Sequence, residues 1–225
     1  MSLRSHARIA GAGYLIIIIS GIFAEFFVRS RLLVAGDPAA TARNILASES
    51  LYRAGMAGDL VMLLADVVVA VALFFVFKEV SRSLALLAAF LRLAQGAVLG
   101  ANLLNLYIPL LLLGGTASPA AFDAAQIEAL ASVFLTAHGY GYVLGLVFFG
   151  LHCAVLGALI VRSRLVPRIL GILLFLASVG YLADTFGRTL LANYEAYAGT
   201  FQLIVFIPAF VGELALALWL LIKGV

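Results

Sequence analysis

Ionisable residues are the groups of this chain that could carry chemistry, and they are few, because 65% of the residues are hydrophobic and 11% are charged. Four of them lie 10 to 12 residues from a basic residue that ends an apolar run. At about 1.5 Å per residue along a helix, all four lie about 15–18 Å from one edge of a membrane core about 30 Å thick. This midplane group consists of Asp66, Arg92, His152 and Glu213.

Further polar residues lie in the other half of the core, about 24–30 Å from the same edge or at the start of a span. Their spacing predicts that they face the bundle interior, since Asp59 is seven residues from Asp66 and His138 is fourteen residues from His152. Glycines on the same helical stripe would let neighbouring helices approach closely. This outer group consists of Glu25, Asp59, Asn102, His138 and Asp184.

These two groups favour a membrane-embedded binding, transport-like or sensor protein with a cavity, because ionisable residues within a membrane usually form pairs and carry function. Arg92 is expected to contact Asp66 or Glu213, since an unpaired guanidinium at this depth costs more than a pair. We expect a cavity open toward the outer leaflet, with the first, second, fourth and fifth spanning helices as walls and the midplane group as floor. Protonation of His152 would make its occupancy by a small amphiphile or an ion depend on pH.

Three other roles remain open for the same residues. A metal-dependent intramembrane enzyme is one alternative, since Asp66, His152 and Glu213 form a set able to hold zinc or iron, although Arg92 competes with a metal ion. Two haems would fit His138 and His152, which are about 21 Å apart along a helix, but each haem needs a second axial ligand from elsewhere. In the third alternative, the midplane group is a structural lock, in which buried polar side chains only hold the helices together.

No enzyme class is indicated, because no serine or cysteine has a histidine at a spacing suited to nucleophilic catalysis. Cys153 directly follows His152, so the two side chains diverge by about 100° on a helix. A single cysteine allows neither an intrachain disulfide nor a cysteine metal motif. We therefore expect no catalytic residues and no cofactor.

Six apolar runs position these residues, and each has the roughly 20 residues that a helix needs to cross a bilayer. Alternation typical of strands is absent, so the sequence predicts an all-α integral membrane bundle of six transmembrane helices. No polar stretch is long enough for a separate soluble domain, and residues 1–225 form a single transmembrane domain. The predicted spans are Ile9–Val28, Ala54–Phe77, Leu84–Leu113, Gly139–Val161, Ile169–Leu191 and Phe201–Ile222.

Two loops on the outer side contain segments that are helical without spanning. In residues 36–55, Asp37 is an N-cap candidate and Pro38 suits the first helical position. In residues 118–137, Ser118 and Pro119 repeat that pattern. We expect both to be short surface helices, with a break near the sequence HGYGY at 138–142, because a continuous helix to Val161 would be twice as long as the hydrocarbon is thick.

The distribution of Lys and Arg predicts the orientation. Residues 114–137 contain none, whereas residues 162–168 contain three arginines, so both termini are expected to be cytoplasmic. The first outer loop, which carries several arginines, favours the opposite orientation.

The net charge of +3 is too small to indicate nucleic acid. The expected partners are the lipid bilayer and a small amphiphilic ligand or ion, and a homo-oligomer is left open.

The first and fifth spans resemble each other. Each begins with Arg-Ile-x-Gly, at residues 8–11 and 168–171, and each later contains an acid followed at i+4 by an arginine, in Glu25–Arg29 and Asp184–Arg188. The pattern indicates two parallel hairpins related by duplication, as in many transporters. The acid–arginine pairs also have an ordinary role as ion pairs at a helix end.

Four segments of the chain resemble a known family. They are ARIAGAGYLIIIISGIFAEFF, AHGYGYVLGLVFFGLHC, PRILGILL and PAFVGELALALWLLIKGV, and together they sample nearly the whole chain. They are similar to the uncharacterised bacterial multi-pass membrane family catalogued as domain of unknown function 4386. The resemblance implies a protein of the bacterial cytoplasmic (inner) membrane and offers no assigned activity or catalytic residues.

Overall fold

The computed structural model describes residues 1–115 and 121–225, without the side chains of Gln202, Phe206 and Ile207. This part of the chain contains seven helices of ten or more residues and no strand. Six of them are long and apolar enough to cross a membrane, which confirms the predicted all-α bundle. The helices are α1 (Leu3–Leu32), α2 (Pro38–Ala47), α3 (Glu49–Phe77), α4 (Arg82–Leu113), α5 (Ala124–Ser163), α6 (Arg168–Leu190) and α7 (Ala198–Ile222).

The six spanning helices form a closed ring. Each packs against its neighbours in the sequence, and α7 returns to pack against α1. Small and aliphatic side chains fill the interior, among them Ala10, Leu156, Leu174 and Leu216, each with no more than 1% of its surface exposed. Large apolar side chains such as Leu64 face outward, where they suit contact with lipid.

The loop between α1 and α3 folds as the sequence predicts, and the side of the bundle on which this loop lies is called the outer side. Asp37 accepts a hydrogen bond of 2.8 Å from the Ala40 amide, and Pro38 occupies the first turn of α2. The Asn44 side chain donates to the Leu32 carbonyl at the end of α1 over 3.2 Å. These contacts confirm the predicted surface helix and fix it to the outer end of α1.

The predicted break in the fourth spanning helix is wrong. Helix α5 continues for 40 residues, about 60 Å, from a capping box at Asp123 through the glycines expected to interrupt it. A Cβ atom on Gly141 would collide with the Asn102 side chain, so this glycine makes room for a neighbouring helix. The predicted cap at Ser118 and Pro119 lies outside the described residues.

Helix α1 changes its winding near the outer end. Residues Phe23–Arg29 form a π-helical segment, in which the turn is wider than in an α-helix. This segment carries both Glu25 and Arg29. Its irregular geometry therefore positions the charged residues of α1 that belong to the outer half.

Candidate functional site

Arg92 is the centre of the buried polar cluster, with only 1% of its surface exposed. Its Nε donates to Asp66 Oδ1 over 2.7 Å, and its Nη2 lies 2.5 Å from the same oxygen. The predicted contact between Arg92 and Asp66 is therefore confirmed. Within the described residues, Arg92 forms no ion pair with Glu213.

The remaining guanidinium nitrogen contacts two other helices. Nη1 donates to the Tyr14 hydroxyl over 3.1 Å and lies 3.2 Å from His152 Nε2. The rings of Tyr14 and Phe149 lie 4.7 and 5.3 Å from the guanidinium carbon, distances typical of cation–π contacts. Sequence reasoning missed both aromatic residues, because on an apolar helix nothing distinguishes them from ordinary core residues.

His152 has a polar partner on each ring nitrogen, as predicted for a histidine in this position. Nδ1 lies 2.8 Å from the Ala88 carbonyl, while Nε2 faces the Arg92 guanidinium, which can only donate. The neutral ring with its proton on Nδ1 satisfies both contacts. A haem iron would have to displace one of these partners to bind His152.

Glu213 is separated from the rest of the midplane group. It is half-buried and accepts a hydrogen bond of 2.9 Å from the Tyr181 hydroxyl. The Tyr181 ring packs edge-on against Phe149, with 5.3 Å between ring centroids. No three His, Cys, Asp or Glu side chains in the described part of the chain are grouped to hold a metal ion, so the alternative set of Asp66, His152 and Glu213 is not assembled.

In the outer half, Arg29 bridges two carboxylates. Its Nε donates to Glu25 over 2.7 Å, which confirms the i,i+4 pair, and its Nη1 donates to Asp59 over 2.7 Å. Arg29 and Asp59 are buried, whereas Glu25 is exposed rather than facing the interior. Sequence reasoning treated Arg29 only as the partner of Glu25 near a helix end and so missed its link to α3.

Asn102 and His138 form a second contact in the outer half. The Asn102 amide donates to the His138 carbonyl over 2.9 Å, and it lies 3.2 Å from His138 Nδ1. The Asn102 backbone carbonyl lies 3.4 Å from the same nitrogen. The local irregularity of α4 at Leu103 exposes that carbonyl, because the Leu106 amide bonds to Leu103.

Asp184 belongs to a separate cluster at the outer end of α6. It lies 3.6 Å from Arg188, which confirms this i,i+4 pair, and it accepts a hydrogen bond from Tyr194. Burial, together with that hydrogen bond, raises the pKa of Tyr194 to about 12. Arg188 also lies over the Tyr194 ring, 4.5 Å from its centroid. Asp184 therefore stabilises the α6–α7 connection and does not join the outer group.

A small cavity of about 10 Å³, here called the outer cavity, lies between α3, α4 and α5. That volume holds about one water molecule. The expected position was wrong in two respects, since α1 and α6 contribute no wall and no member of the midplane group lines it. Arg92 and its aromatic neighbours fill the expected floor. The lining residues are Asp59, Met62, Leu63, Leu99, Asn102, Leu103, His138 and Tyr142.

Comparison with known proteins gives one family. The model of the family described as Domain of unknown function (DUF4386) matches residues 9–224. An uncharacterized protein of Archaeoglobus fulgidus is 29% identical over 167 residues, which cover 74% of this chain and 82% of that protein. No solved structure matches the chain. The six-helix bundle described above therefore belongs to the DUF4386 family.

Proposed function

We propose that the protein is a membrane-embedded binding or transport-like protein whose ligand enters the outer cavity. The observation that carries the proposal is the lining of that cavity, where Asp59, Asn102, His138 and Tyr142 lie beside four apolar residues. Buried polar side chains in a membrane interior are costly unless they pair or serve a ligand. The proposal requires no cofactor.

The charges near the outer cavity favour a small cation. Asp59 is the one charged residue that lines the outer cavity, and its ion-pair partner Arg29 is not among the lining residues. In its present form the cavity accepts only a species of about the size of water. A larger cation requires the helices that line the cavity to separate.

His138 is suited to couple ligand binding to a proton. When Nδ1 carries a proton it can donate to the Asn102 carbonyl, and when it does not it can accept from the Asn102 amide. Both forms therefore keep a partner on Asn102, whereas His152 is fixed in one form by Arg92 and Ala88. The proposal thus assigns the protonation step to His138 and not to His152.

The Arg92 cluster is assigned a structural role in this proposal. Arg92 lies on α4 and contacts Tyr14 of α1, Asp66 of α3 and His152 of α5, so one guanidinium connects four helices. All its nitrogens have partners, and Arg92, Asp66 and His152 are each at least 97% buried. Such a cluster favours a fixed base beneath a more adaptable outer half.

Thermal unfolding of the purified protein in detergent tests the proposal. Chloride salts of sodium, potassium and small protonated amines should be compared, at equal ionic strength, with the chloride and acetate salts of N-methylglucamine, a cation too large for the cavity. We expect at least one cation to raise the melting temperature, with the effect reduced at low pH because a protonated His138 repels it. The Asp59→Asn variant should lose the effect, and His138→Gln should lose its pH dependence.

Glu49→Gln is the matched control, because Glu49 is a half-buried carboxylate outside the outer cavity and, among the described residues, it forms an ion pair only with Arg53 on its own helix. It should respond to cations as the unmodified protein does. Equal stabilisation of the Asp59→Asn and Glu49→Gln variants would reject the outer cavity as the site. A response to acetate alone would reject the assigned charge of the ligand.

A further inference from the structure

A second pocket lies at the opposite end of the bundle, where the turn between α5 and α6 meets the last turns of α7. It is an open depression at the surface with a volume of about 440 Å³, whereas the outer cavity is smaller and more enclosed. It shares no residue with the Arg92 cluster or the outer group. We call it the basal pocket, and its lining residues are Arg164, Leu165, Val166, Pro167, Arg168 and Trp219.

The turn that carries the two arginines is held firmly by its backbone. Arg164 is the only non-glycine residue in the described part of the chain with a positive φ, 57°, which ends α5 abruptly. The Ser163 hydroxyl accepts from the Leu165 amide over 3.2 Å and donates to the Ile160 carbonyl over 3.0 Å. The turn therefore places both arginines at the mouth of the pocket.

The basal pocket has positive charge that no carboxylate balances. Among the described residues, neither Arg164 nor Arg168 forms an ion pair. Helix α6 begins at Arg168 without a side-chain cap, so the positive end of its dipole adds to the two guanidinium groups. An anion is the ligand that this arrangement favours.

Trp219 supplies an independent indication of a ligand. Its indole Nε1 is buried and has no hydrogen-bond partner among the described residues. A buried donor without an acceptor costs stability, and an anionic oxygen in the pocket would satisfy it after a small rotation of the indole. Tryptophan is also typical of the boundary between hydrocarbon and headgroups, where this end of α7 is expected to lie.

We propose that the basal pocket binds the phosphate headgroup of an anionic phospholipid. Arg164 and Arg168 would contact phosphate oxygens, the Trp219 indole would donate a hydrogen bond, and Leu165 would lie beside the acyl chains. The position at the ends of three spanning helices favours a lipid over a soluble phosphate, because membrane lipids are present there at high local concentration. This inference does not depend on the proposed function of the outer cavity.

Trp219 is the only tryptophan of the chain, so its fluorescence reports on this pocket directly. Protein purified in a neutral detergent should be titrated with phosphatidylglycerol or phosphatidylcholine carrying brominated acyl chains, which quench tryptophan on contact. We expect saturable quenching by brominated phosphatidylglycerol at lower concentrations than by brominated phosphatidylcholine. Inorganic phosphate and glycerol phosphate, added as competitors, should not reverse it.

Charge variants test the assigned contacts. Arg164→Gln and Arg168→Gln should each weaken phosphatidylglycerol binding by about fivefold, the effect of one basic residue near an anionic lipid. Arg43→Gln is the matched control, since Arg43 is exposed on α2 outside the pocket, and it should leave the titration unchanged. All three sites are on the surface, so the variants are expected to fold, which gel filtration and circular dichroism will check.

Three results would overturn the proposal. Equal quenching by the two lipids would show that the pocket does not recognise the anionic headgroup. Unchanged titrations in both arginine variants would place the lipid elsewhere. Full competition by inorganic phosphate would identify a free anion as the ligand instead of a lipid.

Discussion

Arg92 makes contacts that a point charge cannot reproduce. The guanidinium donates to Asp66, Tyr14 and His152, and its carbon lies within 5.3 Å of the centroids of two aromatic rings. Lysine carries the same charge but has a compact ammonium group without the planar geometry. The identity of the residue, and not only its charge, is therefore determined by its surroundings.

Substitution of Arg92 should destabilise the fold strongly. We expect Arg92→Met to lower the free energy of unfolding by about 3–5 kcal/mol, because it leaves the Asp66 carboxylate buried without a partner. The double variant Arg92→Met, Asp66→Leu should recover much of that loss, since both charges are then removed. Unfolding in mixed micelles measures the free energy of unfolding of both single variants and of the double variant. A double variant whose loss equals the sum of the two single losses would contradict a stabilising pair of Arg92 and Asp66.

Gln95 is a buried residue whose amide oxygen has no partner among the described residues. It lies one turn from Arg92 on α4. Replacing it with methionine removes an unsatisfied polar group, so we expect stability to stay unchanged or to rise by up to about 1–3 kcal/mol. Asn102→Leu, on the same helix, removes the hydrogen bonds between Asn102 and His138 and should lower stability. Thermal unfolding in detergent measures both variants. Destabilisation of both variants to the same extent would show that Gln95 has a partner.

At the scale of elements, helix α5 illustrates what local sequence rules omit. Two glycines close together weaken a helix by intrinsic propensity, and this predicted a break. The structure shows that the two glycines differ, because a Cβ on Gly141 would meet the Asn102 amide while one on Gly139 would meet nothing within 4 Å. Packing against α4 explains Gly141, and propensity alone cannot reveal it.

This difference predicts opposite effects of the same substitution. Gly141→Ala should destabilise the protein by about 1–3 kcal/mol, since the added methyl group must displace the Asn102 side chain. Gly139→Ala should be neutral or stabilising by up to about 1 kcal/mol, because alanine favours the helix and has room. Thermal unfolding of the two variants side by side measures the contrast, and equal effects would show that Asn102 moves aside freely.

At the scale of the whole molecule, the sequence predicted the position of a residue along its spanning helix better than it predicted which neighbouring helix that residue faces. Spans and the depth of Asp66, Arg92 and His152 follow from the fixed rise of a helix and from the obligation of buried charges to pair. Glu213 has the same predicted depth, yet it accepts a hydrogen bond from Tyr181 instead of contacting Arg92, because hydropathy does not define how α7 turns about its axis. The outer cavity was misplaced for the same reason, since contacts around the ring depend on side-chain packing.

The predicted orientation, with both termini cytoplasmic, is open to a direct test. The chain's one cysteine, Cys153, is buried, and a Cys153→Ala background leaves no native thiol. New cysteines at Asp123 and Glu79, both exposed, would then be labelled in intact cells by an impermeant maleimide. We expect labelling at position 123 and protection at position 79 until the cells are broken, and the reverse pattern would invert the orientation.

The uninterrupted length of α5 gives it the mechanical character of a lever. Its fulcrum is His152, which the Arg92 cluster holds, and about 42 Å of rigid helix extend from there to Ala124. A tilt of about 5° around that point would shift the outer tip by about 4 Å and His138 by about 2 Å. A cavity that now admits one water molecule could thus widen without the loss of any contact at the fulcrum, and a force applied at the exposed tip would be transmitted to it.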